Sequence, residues 1–230
     1  MRKNKKERKR LKATKIKNKK LIKKYPWLAF KDYGTNKIDY SYIHWGCTQG
    51  WDRAYGDMYL KELGEAVERC GRKHSFHIYE IKEKFGQHRV YCDIPSQEVA
   101  DIVDKYEKLS ENICVGCGKP DVPMINQNRW VLPTCDKCFK LSIRHWESYT
   151  NSSNIKTDEE IEELYKNSIC SDSTMPDSFT RVFSYDENDK NTKTVDISET
   201  ANKIRTRWNN LIVKLDKRKT KRNEEKKSWQ

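Results

Sequence analysis

The chain has 230 residues, of which 35% are hydrophobic and 35% are charged, and it carries a formal net charge of +13. This charge content exceeds that of an average globular protein, so we expect part of the chain to be solvated rather than packed. No run approaches the ~20 apolar residues that span a bilayer, and no apolar signal segment follows the basic start. The composition therefore excludes a membrane partner and predicts a cytoplasmic protein, whose eight cysteines bind metal or lie buried.

The excess positive charge lies in one segment, the polybasic arm of residues 1–24. It holds 14 Lys and Arg and a single acid, so the rest of the chain is neutral overall. Such a block has little to bury, and we expect it to be disordered or to form a helix that a partner stabilises. Its candidate nucleic-acid contacts are Arg2, Lys3, Lys5, Lys6, Arg8, Lys9, Arg10, Lys12, Lys15, Lys17, Lys19 and Lys20.

Residues 25–112 are expected to form an aromatic-rich α+β domain. Ten aromatic side chains lie between Tyr25 and Tyr59. They are either core or a surface on which unpaired bases stack, and the sequence leaves both interpretations open. From Tyr55 the apolar residues recur at helical spacing as far as about Cys70, which predicts a helix.

A hairpin and a second helix complete this domain. The hairpin is predicted over residues 76–94, with Gly86 supplying the positive φ of its turn. The alternation places His77, Tyr79 and Ile81 on one face, with Val90, Cys92 and Ile94 alternating on the returning strand. Residues 96–111 carry an apolar stripe that is typical of an amphipathic helix.

Four cysteines in residues 113–149 have the spacing of a structural zinc subdomain: Cys114, Cys117, Cys135 and Cys138. Two CxxC pairs supply four thiolates, a closed tetrahedral shell that suits one structural Zn²⁺ ion. Between the pairs we expect two short strands, and after them a helix over residues 135–148. A first pair in a knuckle and a second on a helix describe a treble clef. A zinc ribbon is the alternative fold, and an iron–sulfur cluster is the alternative metal group.

Residues 150–213 are interpreted as a C-terminal α/β segment. An acid-rich helix begins at Thr157, a second hairpin pairs Phe179–Tyr185 with Thr192–Ile197, and an amphipathic helix carries Ala201 to Leu215. A basic tail follows over residues 214–230. The fold class is thus α+β, with a small helix-hairpin-helix body, a treble-clef or zinc-ribbon four-cysteine site and basic terminal extensions.

Several motifs within about residues 21–140 together resemble an uncharacterised protein family of bacteriophages and prophages. They are Tyr25-Pro26-Trp27, Tyr40-Ser41-Tyr42, Gly50-Trp51, Ile81-Lys82-Glu83-Lys84-Phe85-Gly86, Lys105-Tyr106-Glu107-Lys108-Leu109-Ser110, Ile113-Cys114-Val115-Gly116-Cys117-Gly118 and Cys135-Asp136-Lys137-Cys138. Gln87 and His88 follow where the family tends to have a second glycine and an apolar residue. The resemblance implies a phage origin, hence a host-cell cytoplasmic location, and a zinc-bearing α+β fold, and it implies no activity.

The charge distribution favours association with DNA, RNA or a nucleoprotein complex, because clustered cations displace the counterions of a phosphate backbone. Two alternatives stay open. The first is an interaction module that inhibits or redirects a host protein complex, such as an anti-defence or host-takeover factor. The second is a divergent metal-dependent nuclease that uses His44, His74, His77 and His88. No histidine lies between Cys117 and Cys135, so an HNH-type nuclease signature is missing.

Overall fold

The structure is a computed structural model that describes residues 4–31, 34–35, 37–127, 130–150, 156–170 and 196–227. Its helices are α1 (Lys5–Lys24), α2 (Gln49–Trp51), α3 (Asp57–Arg69), α4 (Gln97–Ser110), α5 (Asp136–Thr150), α6 (Asp158–Ser168) and α7 (Ser198–Lys227). Its strands are β1 (Ala29–Lys31), β2 (Ile38–Ile43), β3 (Ile78–Lys84), β4 (Gln87–Cys92), β5 (Met124–Gln127) and β6 (Trp130–Pro133). Within these ranges the strands pair consecutively into three separate antiparallel hairpins, so the α+β class is confirmed.

Aromatic rings form the centre of the main core. A π-helical turn, Asp52–Gly56, joins α2 to α3 and places Trp51, Tyr55 and Tyr59 inward. The Tyr59 ring stacks on that of Tyr106 from α4, with centroids 4.2 Å apart. Most of the aromatic side chains between Tyr25 and Tyr59 therefore belong to the core rather than the surface. Burial of such large apolar areas is the main contribution to the stability of this small body.

The apolar stripes of α3 and α4 match their predicted helical spacing. On α4, Val99, Ile102, Val103, Tyr106 and Leu109 are all buried. The helix begins after Ser96, whose hydroxyl accepts a hydrogen bond from the Val99 amide, as expected of an N-cap residue. The predicted helix over residues 96–111 is therefore confirmed.

The β3–β4 hairpin forms where it was predicted, but its faces differ. Phe85 and Gly86 both have positive φ and make a two-residue turn of the kind that matches strand twist. A bulge between Ile78 and Glu80 shifts the alternation, so Ile78 and Ile81 point inward while Tyr79 is 66% exposed. The prediction that His77, Tyr79 and Ile81 share a face was wrong, because a bulge inserts one unpaired residue.

His88 on β4 is a buried polar residue in this aromatic core. Its ring stacks on Trp51 at 5.4 Å, its Nδ1 lies 3.2 Å from the Tyr55 hydroxyl, and no described residue partners its Nε2. Burial lowers the pKa of His88 to about 4. The unfolded chain, with a pKa near 6.5, therefore binds the proton more readily than the folded one.

This pKa difference predicts an acid-sensitive contribution of His88 to stability. It is fully present above about pH 6.5 and is lost as the pH falls towards 4. We expect the difference in unfolding free energy between wild type and His88→Gln to shrink by about 2 kcal/mol from pH 7.5 to pH 5. Urea denaturation at both pH values measures it, and a constant difference would contradict the assignment. Comparing the two proteins cancels the contribution of Glu107, because both carry it. Burial raises the pKa of Glu107 to about 7, so its contribution to stability changes with pH in the opposite direction.

The polybasic arm is helical over Lys5–Lys24, and its last turns belong to the body. The Asn18 side chain donates a 3.0 Å hydrogen bond to the Tyr40 carbonyl, and Ile22 packs in the main core. The boundary expected between residues 24 and 25 therefore falls inside a packed unit. The side chains of the first turns of α1 are exposed, so only the last turns need apolar residues to anchor the helix.

The two described helices of the C-terminal segment pack against different parts of the protein. Helix α6 packs on the cysteine subdomain, where Ile161 contacts Ile125 and Phe139. Helix α7 instead returns to the first domain, where it buries Ile204 and pairs Arg207 with Asp57. Residues 151–155, between α5 and α6, and almost all of the second predicted hairpin lie outside the described residues. Among those described, no helix combines the length and apolar character needed to cross a bilayer.

Candidate metal centre

The four predicted cysteine ligands come together at one point. The Sγ atoms of Cys114, Cys117, Cys135 and Cys138 all lie within 4.8 Å of one another. Cys135 Sγ is 3.7 Å from both Cys114 Sγ and Cys117 Sγ. A tetrahedron with 2.3 Å metal–sulfur bonds has edges of about 3.8 Å. Two of the sulfur pairs thus have the spacing of a four-coordinate metal site, and the cluster could hold one metal ion.

Two structural elements present the ligands. Cys114 and Cys117 lie in a knuckle between α4 and β5, while Cys135 precedes α5 and Cys138 lies in its first turn. The Gly118 amide donates to the Cys114 carbonyl at 2.9 Å, with the Gly118 φ at +83°. A Cβ on Gly116 would lie 3.0 Å from Cys138 Sγ, so the knuckle needs glycine to approach the second pair closely.

Backbone amides at the start of α5 face the sulfurs. The Cys135 amide lies 3.4 Å from Cys114 Sγ, and the Cys138 amide lies 3.4 Å from Cys135 Sγ. Donors and the positive end of a helix dipole both favour thiolate over thiol. The second cysteine pair, at the start of α5, therefore lies where thiolates are favoured, and thiolates bind a cation.

The electrostatics of the cluster favour a bound cation. Hydrogen bonds from Cys117 and Cys135 hold the pKa of Cys114 far below its usual range. Conversely, the hydrogen bond between Cys117 and Cys114 raises the pKa of Cys117 to about 11. Burial raises the pKa of Cys138 to about 12. Four sulfurs this close cannot all ionise unaided, whereas a central divalent cation stabilises every thiolate at once. Among the described residues, this is the one group of three or more His, Cys, Asp or Glu side chains that could hold a metal ion.

The knuckle is attached to the aromatic core through Gly50 and Trp51. The Gly50 amide donates to the Val115 carbonyl, and Trp51 Nε1 donates to the Ile113 carbonyl, each at 2.9 Å. A Cβ on Gly50 would lie only 2.1 Å from the Cys114 carbonyl oxygen. This contact between the Gly50-Trp51 segment and the knuckle was not predicted from the sequence, where the one signal is a glycine beside a tryptophan at a helix start.

The remaining predicted site residues lie elsewhere. Arg2 and Lys3 are outside the described residues, and every other predicted basic contact, from Lys5 to Lys20, is exposed on α1. The histidines of the nuclease hypothesis differ in environment: His88 is buried, whereas His77 is exposed and its Nδ1 lies 3.2 Å from Asp93.

Comparisons with known proteins identify no relative: no protein-family model matches the sequence, and no curated protein or solved structure matches it significantly. The resemblance to a phage family stays a prediction from the motifs. Function is therefore inferred from the chain's own geometry and charge.

Proposed function

We propose that the protein is a non-catalytic, zinc-stabilised accessory protein that associates with nucleic acid, or with a nucleoprotein complex, through basic terminal helices. The observation that carries this proposal is the display of charge on α1. Its 20 residues include twelve Lys and Arg and one acid, and its last turns are fixed to the body by Asn18 and Ile22. Such a helix presents cations to a polyanion and has no apolar face large enough for a membrane. A phage origin fits the same role.

We assign the metal as a single structural Zn²⁺ ion held by Cys114, Cys117, Cys135 and Cys138. Four sulfur ligands at tetrahedral spacing suit zinc and leave no open position for a reacting water. A knuckle, a hairpin and a helix with the second pair at its start support a treble clef over a zinc ribbon, in which the second pair would lie in another knuckle. The ion would hold the subdomain together rather than do chemistry.

The C-terminal part of α7 supplies further positive charge. Lys214, Lys217 and Arg218 are exposed beyond the point where Ile204 anchors the helix. They could add phosphate contacts to those of α1, without any readout of base sequence.

Neutralising the first turns of α1 is expected to weaken duplex binding at least about tenfold. The variant changes Lys5, Lys6, Arg8, Lys9, Arg10 and Lys12 to Gln, which retains helix propensity and spares the packed turns. Each lost phosphate contact should reduce the slope of log K against log salt by about 0.9. Fluorescence anisotropy across a salt series measures both effects. Deleting residues 1–24 is a poorer test, because it also removes Asn18 and Ile22 from the body.

The control carries the same net charge change on exposed lysines elsewhere. It replaces Lys61, Lys108, Lys119, Lys156, Lys166 and Lys203 with Gln. We expect it to bind within a few-fold of wild type. Equal losses in the two variants would show that net charge, not α1, governs binding, and a wild type that binds no nucleic acid would retire the proposal.

A second candidate is a module that binds a host protein complex. The observation in its favour is a set of exposed aliphatic side chains on α7, where Ile212, Val213 and Leu215 are 38%, 51% and 41% exposed. Exposed aliphatic residues of this kind are typical of protein interfaces. Pull-down from a bacterial host lysate with nuclease treatment would favour this function if one partner persists and is lost from an Ile212→Ser/Val213→Ser variant.

A further inference from the structure

Two rings of the aromatic segment remain exposed on the β1–β2 hairpin. Phe30 and Tyr42 are 42% and 65% exposed, and their centroids lie 6.3 Å apart at an angle of 61°. The other described rings of the segment are buried or partly buried in the main core. Exposed rings that contact each other, but do not contribute to a buried core, need a separate explanation.

The hairpin lies directly beside the basic helix. Asn18 of α1 donates to the Tyr40 carbonyl on β2, and Lys19 Nζ lies 5.9 Å from the centroid of the Tyr40 ring. Tyr42 lies two residues beyond Tyr40 on β2, and the Phe30 ring contacts it from β1. The pairing of β1 with β2 is irregular between Ala29 and Lys31, so the two exposed rings are placed by their contact and not by strand alternation. Both rings belong to the hairpin that packs beside α1.

A groove runs between α1 and Tyr40. Its volume is about 430 Å³, and its lining includes Leu11, Lys12, Lys15, Ile16, Lys19 and Tyr40. The lining of the groove therefore combines apolar side chains with lysine cations. Lys31 and Lys37 are exposed at the neighbouring ends of β1 and β2, and the one nearby carboxylate of β2, Asp39, accepts a 2.8 Å hydrogen bond from the Ser41 amide.

We infer that this composite surface binds single-stranded nucleic acid, with phosphates on the α1 lysines and unpaired bases stacked on Tyr42 and Phe30. The inference rests on the proposed function and specifies its substrate. A duplex hides the faces of its bases and offers α1 only phosphates. A single strand offers phosphates and free base faces together, which is what a groove with adjacent rings recognises.

The test compares one labelled 20-nucleotide strand, as DNA and as RNA, with the duplex of the same sequence. Tyr42→Ala is expected to weaken binding to the single strands about five- to tenfold and binding to the duplex less than twofold. Tyr42→Phe retains the ring and should bind like wild type. Tyr79→Ala is the matched control, because Tyr79 is 66% exposed on the β3–β4 hairpin, and it should change neither affinity. Thermal melting of each variant checks that the fold is retained.

The outcomes separate the two proposals. Selective loss of single-strand binding in Tyr42→Ala, deepened in Phe30→Ala/Tyr42→Ala, supports the inference. Unchanged single-strand binding in both ring variants, together with weakened binding in the α1 variant, overturns the inference but leaves the proposed function standing. If wild-type protein binds neither strand nor duplex, both are overturned.

Discussion

Cys114→Ala is expected to lose its metal and to melt well below wild type. Cys114 is fully buried, and its Sγ lies 3.7 Å from Cys135 Sγ, so the change to alanine removes one of the four clustered sulfurs. Structural zinc supplies about 10–16 kcal/mol of apparent folding free energy in small zinc peptides. If half of that is lost here, about 5 kcal/mol or more, the melting temperature should fall by roughly 10–20 °C.

Elemental analysis and circular dichroism melting measure these effects in the same preparation. Cys170→Ala is the control, because the Cys170 amide bonds to Met124 in the same subdomain while its thiol lies outside the cluster. We expect the control to retain one zinc ion per chain and to melt near wild type. A Cys114→Ala protein with full zinc content would show that the four sulfurs are not a ligand set.

Gly50→Ala is expected to destabilise the protein by about 3 kcal/mol or more. The added Cβ would meet backbone atoms of the knuckle, at 2.1 Å from the Cys114 oxygen and 2.6 Å from the Val115 oxygen. Backbone cannot rotate away as a side chain can, so the knuckle must separate from α2. The Gly50 and Trp51 hydrogen bonds to the knuckle would then be lost, and each leaves buried polar groups unpaired.

Gly56→Ala provides a matched comparison six residues along the same helical segment. There the nearest atom to the added Cβ is the Asp52 Cβ at 3.7 Å, an ordinary contact. Because alanine restricts the unfolded chain, we expect this change to be neutral or to stabilise by up to about 1 kcal/mol. Urea denaturation of both variants checks the contrast. Equal effects would mean that the close approach at Gly50 does not hold the knuckle.

The ligands and the local elements could be read from sequence because their signals are local. Cys114 and Cys117 are three residues apart, and Cys135 and Cys138 repeat that spacing at the start of a helix. The stripe of α4 and the turn at Gly86 likewise depend on residues within one element. The cluster of four cysteines was therefore predictable from the sequence, down to its four side chains.

Contacts between distant parts of the chain could not be read in this way. Trp51 bonds to Ile113 across 62 positions, and Arg207 bonds to Asp57 across 150. Neither pair has a sequence signature, because a tryptophan N–H or an arginine can be satisfied by many partners. The bulge after Ile78 was missed for a related reason: it depends on how the β3–β4 hairpin packs against the core, not on the alternation itself.

Under the proposed function, the anchored helix α1 sets the length of nucleic acid that the protein would contact. A continuous helix of 20 residues is about 30 Å long at 1.5 Å per residue. Phosphates along one strand of a duplex advance by about 3.4 Å, so the helix matches the length of about nine nucleotides. Because Asn18 and Ile22 fix the last turns of the helix on the body, the cations of α1 would, under the proposed function, contact a strand over a set length and in a set direction.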